Sequence, residues 1–475
     1  MSFPSQFTLN AWTGPDGQAS SQAGANVAGW GFTAQMQPVS QLLVAPEALD
    51  LRDWQNEEIG WGLVLPENEN ISEADRAVAA DAPEPIRKLL AARENAPVFR
   101  YRTDLQNRFL RRYYLDRSSQ DIQISSAGQR GIGVGRLPYY LLIVGSPEKI
   151  PWRLQYVLNQ PCFVGRLDLD EGGLKHYIDA LLKDWADAGV EPDHPVVWTV
   201  DHGHPDITWL MRHAIAEPVG QKLREDADIG DKATILAGST ATADALTEAL
   251  IAQKPALIIT TSHGMTGPLD DPGLMAQQLG LLVDDEGVTL HPHHLLQKWQ
   301  PNGAIWYAHA CCSAGSDGET SYKGLLTEGS TADRVLEAVA QIGAKIAPLP
   351  TELLGAEKPL RAFVGQVEPT FDWTIRDPDT GQVLTTTLQN ALYNRMYRKH
   401  PEPVGMAFQE CFRHVGELFS QWQQALRNIN SPSQATRDAA RVAALRTQLA
   451  ALDRQSLVIL GDPTACLPPL QSPLE

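Results

Sequence analysis

The chain is short of cysteine, of positive charge and of long apolar runs. Among 475 residues there are five cysteines, at 162, 311, 312, 411 and 466. An odd and scattered set builds no disulfide framework, and reduced thiols suit a cytosolic setting. Lys and Arg number 39 against 57 Asp and Glu, a formal net charge of −18. That excludes nucleic acid as a direct ligand, because phosphate binding needs a basic face, and it favours cationic partners at any acidic cleft. No run approaches the length that spans a bilayer, so no membrane partner is expected. The opening residues, Met1 to Asn10, hold neither a basic segment nor a continuous apolar one. No export signal is read there, and a cytoplasmic location is expected. Also missing are the Gly-x-Ser-x-Gly elbow of serine hydrolases and the Gly-x-x-x-x-Gly-Lys loop of nucleotide-driven motors.

What is present is enough chain for about three domains, or for one large α/β core with insertions. From 139 onward apolar strands alternate with amphipathic helical patterns, the signature of a mostly parallel sheet flanked by helices. Strands are predicted at 139–144, 162–165, 195–200, 233–237, 256–261, 304–310, 361–367 and 457–460. Helices are predicted at 174–188, 207–223, 243–252, 292–299 and 331–342. Residues 1–135 read as an N-terminal region of unknown role, carrying Trp12, Trp30, Trp54 and Trp61 and short helices at 86–90 and 107–115. Residues 136–375 form the core. Residues 376–475 follow a linker, Asp377 to Gly381, as a helical region: helices at 404–429 and 433–452 form an antiparallel pair, and the last strand closes the chain.

Two stretches carry the chemistry. Ile258-Ile259-Thr260-Thr261-Ser262-His263-Gly264 and Ile305-Trp306-Tyr307-Ala308-His309-Ala310-Cys311 each read as a buried strand that delivers a reactive side chain at its C-terminal end. Loops beyond the carboxyl ends of parallel strands form the ligand crevice, so the two groups can meet there. A histidine about 50 residues before an Ala-Cys pair is also the caspase-type order. A thiol attacks a carbonyl as the thiolate, which a nearby histidine can generate, and the same histidine can protonate the leaving amine. Gly264 allows close approach, and the amides of Gly264 and Cys311 are candidates for an oxyanion hole. His309 shares the face of Cys311 and is a candidate to line the site, whereas Cys312 is expected to point away into packing.

Other motifs read as ordinary surface. The glycines of Gly131-Ile132-Gly133-Val134-Gly135 precede a strand rather than follow one, so they form an exposed loop rather than a phosphate cradle. His291-Pro292-His293-His294 and Asp201-His202-Gly203-His204 match no zinc spacing, and no metal or cofactor is expected. Asp270-Asp271 and Asp284-Asp285 read as solvated acidic turns rather than calcium loops.

Five pieces in register resemble a family. They are Leu141-Leu142-Ile143-Val144-Gly145-Ser146-Pro147-Glu148-Lys149-Ile150-Pro151, Val164-Gly165-Arg166-Leu167, Ser262-His263-Gly264, Ala310-Cys311 and Leu460-Gly461-Asp462-Pro463. Their order is similar to that of gingipain-type cysteine peptidases of the caspase-like clan, and the Ala-Cys-Cys-Ser-Ala-Gly stretch is similar to the turn of bacterial caspase-like (CHAT) proteases. The resemblance covers roughly 139–375 and the closing strand. It implies a caspase-like αβα sandwich with a mostly parallel sheet, and hydrolysis of protein or peptide substrates by a dyad of Cys311 and His263. It also places Asp206 where arginine-specific members hold the carboxylate of the S1 pocket, with Asp201 as the nearest rival, so cleavage after Arg or Lys is expected. An Asp there is equally suited to cap the helix that follows. Without an export signal, the resemblance implies a regulated protease in a bacterial stress or defence pathway, made as a precursor, with Arg130 and Arg136 as cleavage sites for itself or an activating protease. The readings that compete are a non-catalytic scaffold of the same fold and a metal-dependent hydrolase.

Overall fold

The computed structural model describes residues 6–13, 18–22, 49–377, 380–397 and 400–470. Residues 1–5, Trp30, Pro378 and Asp379, singled out above, lie outside them. The molecule is mixed α/β, built on a twelve-stranded sheet with helices on its faces. Its strands read in space as Thr234–Ala237, Val196–Thr199, Leu257–Thr261, Ile305–His309, Ala362–Gln366, Leu457–Gly461, Phe163–Leu167, Tyr140–Val144, Trp61–Pro66, Val98–Tyr101, Phe109–Tyr113 and Ser119–Gln123. Neighbours run parallel except where Leu457–Gly461 meets Ala362–Gln366 and in the last two pairings of that order.

The central strands form because runs such as Leu257–Thr261 and Tyr140–Val144 are apolar or β-branched at every position and buried throughout. That is the pattern of a sheet covered on both faces. One face carries Trp198, Ile258, Trp306, Phe363 and Leu460. The other carries Val197, Ile259, Tyr307, Val364 and Ile459 on one half of the sheet, and Leu141, Ile143 and Val164 on the other half. The helices have ordinary beginnings: Asp170, Thr242 and Ser330 each accept an amide from the first turn of the helix they cap.

Two expectations change. The segment 107–115 is not helical: Phe109–Tyr113 is a strand, hairpinned to Ser119–Gln123. Its buried side chains, Leu110 and Tyr113, are backed by neighbouring strands, and that tertiary pairing overrides local helix propensity. The N-terminal region also does more than pack on the core. Trp61–Pro66 lies between Tyr140–Val144 and Val98–Tyr101 and extends the central sheet. The helical pair appears as Gln409–Arg427 and Gln434–Gln455, with Ser433 capping the second helix. No helix among the described residues is long and apolar enough to cross a membrane.

Leu457–Gly461 comes last in the chain but stands mid-sheet, antiparallel to Ala362–Gln366 and bridged to Phe163–Leu167. It thereby joins the two halves. Its four apolar side chains are nearly or fully buried, and each contributes about 1.5 to 3 kcal/mol by leaving water. Gly165 is required beside it, since a Cβ there would stand 2.0 Å from the Gly461 carbonyl oxygen.

Candidate active site

Sheet register decides where the two candidate residues, His263 and Cys311, emerge. Leu257–Thr261 and Ile305–His309 are adjacent and parallel, with Thr261 opposite His309, and the Ser262 amide donates to the His309 carbonyl at 3.3 Å. His263 and Cys311 each follow two residues after that last matched pair, so the register brings them to the same edge. The backbones then touch: a Cβ on Gly264 would stand 1.9 Å from the Cys311 carbonyl oxygen and 2.9 Å from its nitrogen. Only glycine permits that approach.

The cysteine turn is clasped from several sides. A Cβ on Gly280, at φ +67°, would lie 2.0 Å from the Cys312 carbonyl oxygen, and Cys312 itself is left-handed at φ 55°. Ser313 Oγ donates to the Ala308 carbonyl at 3.1 Å and accepts the Gln366 amide at 3.0 Å. The Thr370 amide donates to Cys311 Sγ at 3.3 Å. Both Cys311 and Cys312 are fully buried, in a cluster with Leu9, Ala11, Tyr322 and Phe371. Burial pushes the Cys311 thiol well above the ordinary range despite the Thr370 amide.

His263 is fully buried, with Nε2 3.1 Å from Asp206 Oδ2 and Nδ1 without a hydrogen-bond partner. Asp206 is the N-cap of helix Ile207–Met211, its Oδ1 accepting the Thr208 amide at 2.8 Å and the Thr208 hydroxyl at 2.5 Å. Burial alone would raise the Asp206 carboxyl. The His263 hydrogen bond and charge, with Thr208, bring it down to about 2 instead. Asp206 was expected to floor a substrate pocket, and this is corrected: both its oxygens are engaged, one by the histidine and one by the helix. Asp201 offers no substitute, since its Oδ2 is 2.8 Å from Arg212 Nη1 and its Oδ1 accepts the Gly203 amide.

His309 does not face the site. Nearly buried, it accepts or donates at Nδ1 to the Tyr307 hydroxyl at 2.8 Å, and it lines a cavity of about 70 Å³ that neither His263 nor Cys311 lines. The strand ends at His309 and the chain turns before Cys311, so alternation along a strand fails to carry over. Burial lowers its imidazole to about 4. Gly264 sits in a ladder between Ala11 and Leu282, and Cys311 sits in the clasped turn. Arg130 and Arg136 are half-buried: Arg130 reaches Cys162 Sγ and the Ser125 carbonyl, while the Arg136 guanidinium reaches the Arg130 carbonyl. The loop between them is 74% exposed at Val134.

The other polar motifs are structurally employed. His291 pairs with Thr289 and precedes helix Pro292–Lys298, and His293 pairs with Gln297. Asp271 caps helix Pro272–Gln278, and Asp284 gathers the amides of Ala243, Glu286 and Val288. Among the described residues, the one grouping of three potential metal donors is Glu191, Asp193 and His194, and Asp193 is already paired to Lys232 and His194.

Sequence reasoning missed a strand. Gln6–Trp12 runs parallel to His263–Met265, matching Ala11 to Gly264 and Trp12 to Met265. The Trp12 ring lies 5.4 Å from that of His263 and stacks on His202, also at 5.4 Å, while His202 stacks on His263 at 5.8 Å. The alternation Phe7, Leu9, Ala11 was the available signal. Compared with models of protein families and with curated proteins, the chain matches none.

Proposed function

We propose that this protein is a cysteine endopeptidase of caspase-like architecture, in which Cys311 is the nucleophile and His263 the base and later the acid. The observation that carries the reading is the meeting of two adjacent parallel strand ends, with Gly264 in backbone contact with Cys311 and Asp206 on His263. Asp206 accepting from Nε2–H fixes the tautomer and leaves the Nδ1 lone pair as the group that takes the thiol proton. The thiolate then attacks the peptide carbonyl, the imidazolium protonates the leaving amine, and water releases the acyl group. The amides of Gly264 and Cys311 would stabilise the oxyanion once they are free to donate. Asp206 is a positioning residue in this scheme. A preference for Arg or Lys then rests on the net charge of −18, which concentrates cationic peptides near the surface. The burial of both sulfurs fits an enzyme held as an inactive precursor, for which we propose a regulated role in a stress or defence pathway.

The same burial favours a second reading, a non-catalytic scaffold that binds partner proteins. Fluorogenic peptides ending in Arg, Lys, Asp or Leu, offered before and after limited trypsin treatment, separate the two. Hydrolysis should vanish in Cys311→Ala and His263→Ala and persist in Cys312→Ala. In Asp206→Asn it should fall about 10²- to 10⁴-fold, the scale of general acid–base catalysis, with kcat losing more than KM gains. Hydrolysis by Cys311→Ala at the wild-type rate would exclude the dyad.

A further inference from the structure

We infer that the edge of His263–Met265 is a docking groove for an extended polypeptide, and that residues 6–12 of the chain itself occupy it as an inhibitory strand. The inference rests on the peptidase reading for its purpose, and on geometry for its substance. Gln6–Trp12 lies against both halves of the site. On one side it pairs with His263–Met265, the ladder continuing as the Thr266 amide to the Trp12 carbonyl at 3.1 Å. On the other side it is hairpinned to Gln18–Gln22, and where that pairing is interrupted the Asn10 backbone amide donates to the Thr370 carbonyl at 2.8 Å and Leu9 bridges Phe371. The Thr370 amide is the one that holds Cys311 Sγ.

The strand therefore covers both reactive groups at once. Leu9 and Ala11 are fully buried in the cluster that contains Cys311, and the Trp12 ring lies beside His263. An extended peptide adding to a sheet edge makes these same main-chain bonds whatever its sequence, with alternate side chains entering pockets. A substrate laid on that edge would run past Gly264 and reach the carbonyl-binding region beside Cys311, so strand and substrate are mutually exclusive.

The strand also carries a cost that makes it displaceable. Asn10 is fully buried, its amide reaching Met211 Sδ at 3.2 Å and the His309 carbonyl at 3.5 Å, while its Oδ1 has no hydrogen-bond partner. An unsatisfied buried acceptor weakens the strand's hold relative to a polar edge open to water. Proteolysis or a competing peptide has a local barrier to overcome, not the stability of the whole fold.

The test uses the full chain carrying Ala11→Glu, with Trp12→Ala as a milder second variant should the first fail to fold. Cys311 alkylation by iodoacetamide is followed by peptide mass mapping, alongside hydrogen exchange of the amides of 9–12. Cys162, buried in a different cluster, reports any general unfolding. The inference predicts that the variants exchange faster at 9–12 and label Cys311 on the order of tenfold faster or more, the scale of losing one or two strand hydrogen bonds. Cys162 should stay protected, and an added synthetic peptide of residues 6–12 should slow the labelling again. Fast exchange at 9–12 with Cys311 labelling still at the wild-type rate overturns the inference, as does rapid labelling of wild-type Cys311 while 9–12 remain protected. Labelling needs only an accessible thiol, so an exposed Cys311 that labels but hydrolyses no peptide sinks the peptidase reading and leaves the strand inference standing.

Discussion

At the scale of single residues, the site depends on groups that have given up their freedom. Gly264 and Gly280 have no side chain because the cysteine turn occupies the space one would need, and Asp206 spends both oxygens on His263 and Thr208. Two buried carboxyls beneath the turn offer a separate handle. Glu368 accepts the Ser321 amide, its backbone carbonyl receives the Cys312 amide, and Asp453 accepts the Phe371 amide. Burial pushes each to about 7. A carboxyl raised in the folded state gives stability that is full below the unfolded value and is lost as pH rises toward 7. Glu368→Gln and Asp453→Asn should therefore each be more stable than wild type at pH 8, by on the order of 3 to 4 kcal/mol, and close to it at pH 4. Thermal unfolding at the two pH values checks this; equal differences at both would mean the carboxyls are ionised inside the fold.

At the scale of elements, the sequence was legible where both faces of a strand are covered. Leu257–Thr261, Ile305–His309 and Ala362–Gln366 announce themselves as continuous β-branched and apolar runs, and the order of His263 and Cys311 followed from them. Elements that depend on distant partners stayed hidden. Phe109–Tyr113 carries two adjacent arginines and takes its strand character from its neighbours, one of which sets Arg111 against Asp121 at 2.7 Å. Asp206 was visible as a helix cap, but its contact with His263, 57 positions along, is a product of the fold. His309 was placed by extending an alternation past the point where the strand stops. Gln6–Trp12 stood apart from the core in sequence, and nothing local says which edge it joins.

The strand Leu457–Gly461 yields a prediction of its own. Asp462, just beyond it, is fully buried, 3.2 Å from Arg93 Nη1 and 3.1 Å from Trp61 Nε1, and so ties the closing strand to the N-terminal segment. Arg93 also lies over the rings of Trp54 and Trp61. Asp462→Ala leaves a buried guanidinium without its counter-charge and should cost about 3 to 5 kcal/mol. Urea denaturation monitored by tryptophan fluorescence measures it. A loss under about 1 kcal/mol, the level of an exposed pair, would show that Arg93 finds water when its partner is gone.

At the scale of the whole molecule, one twelve-stranded sheet holds the chain together, and the candidate site stands where two of its adjacent strands, Leu257–Thr261 and Ile305–His309, end. The last described strand unites two halves that the sequence presents far apart, and the first, Gln6–Trp12, lies against His263–Met265 in a separate four-stranded sheet with Gln18–Gln22 and Leu282–Val283. Reactive residues and their cover thus come from opposite parts of the chain. The Cys311 thiol is buried here, and displacement of Gln6–Trp12 is the route we propose to its exposure. The most direct measurement is peptide hydrolysis by the Ala11→Glu protein, compared with the same protein carrying Cys311→Ala in addition. The account predicts turnover in the first and none in the second. Equal turnover in both, or no turnover from a protein whose Cys311 alkylates freely, would contradict it.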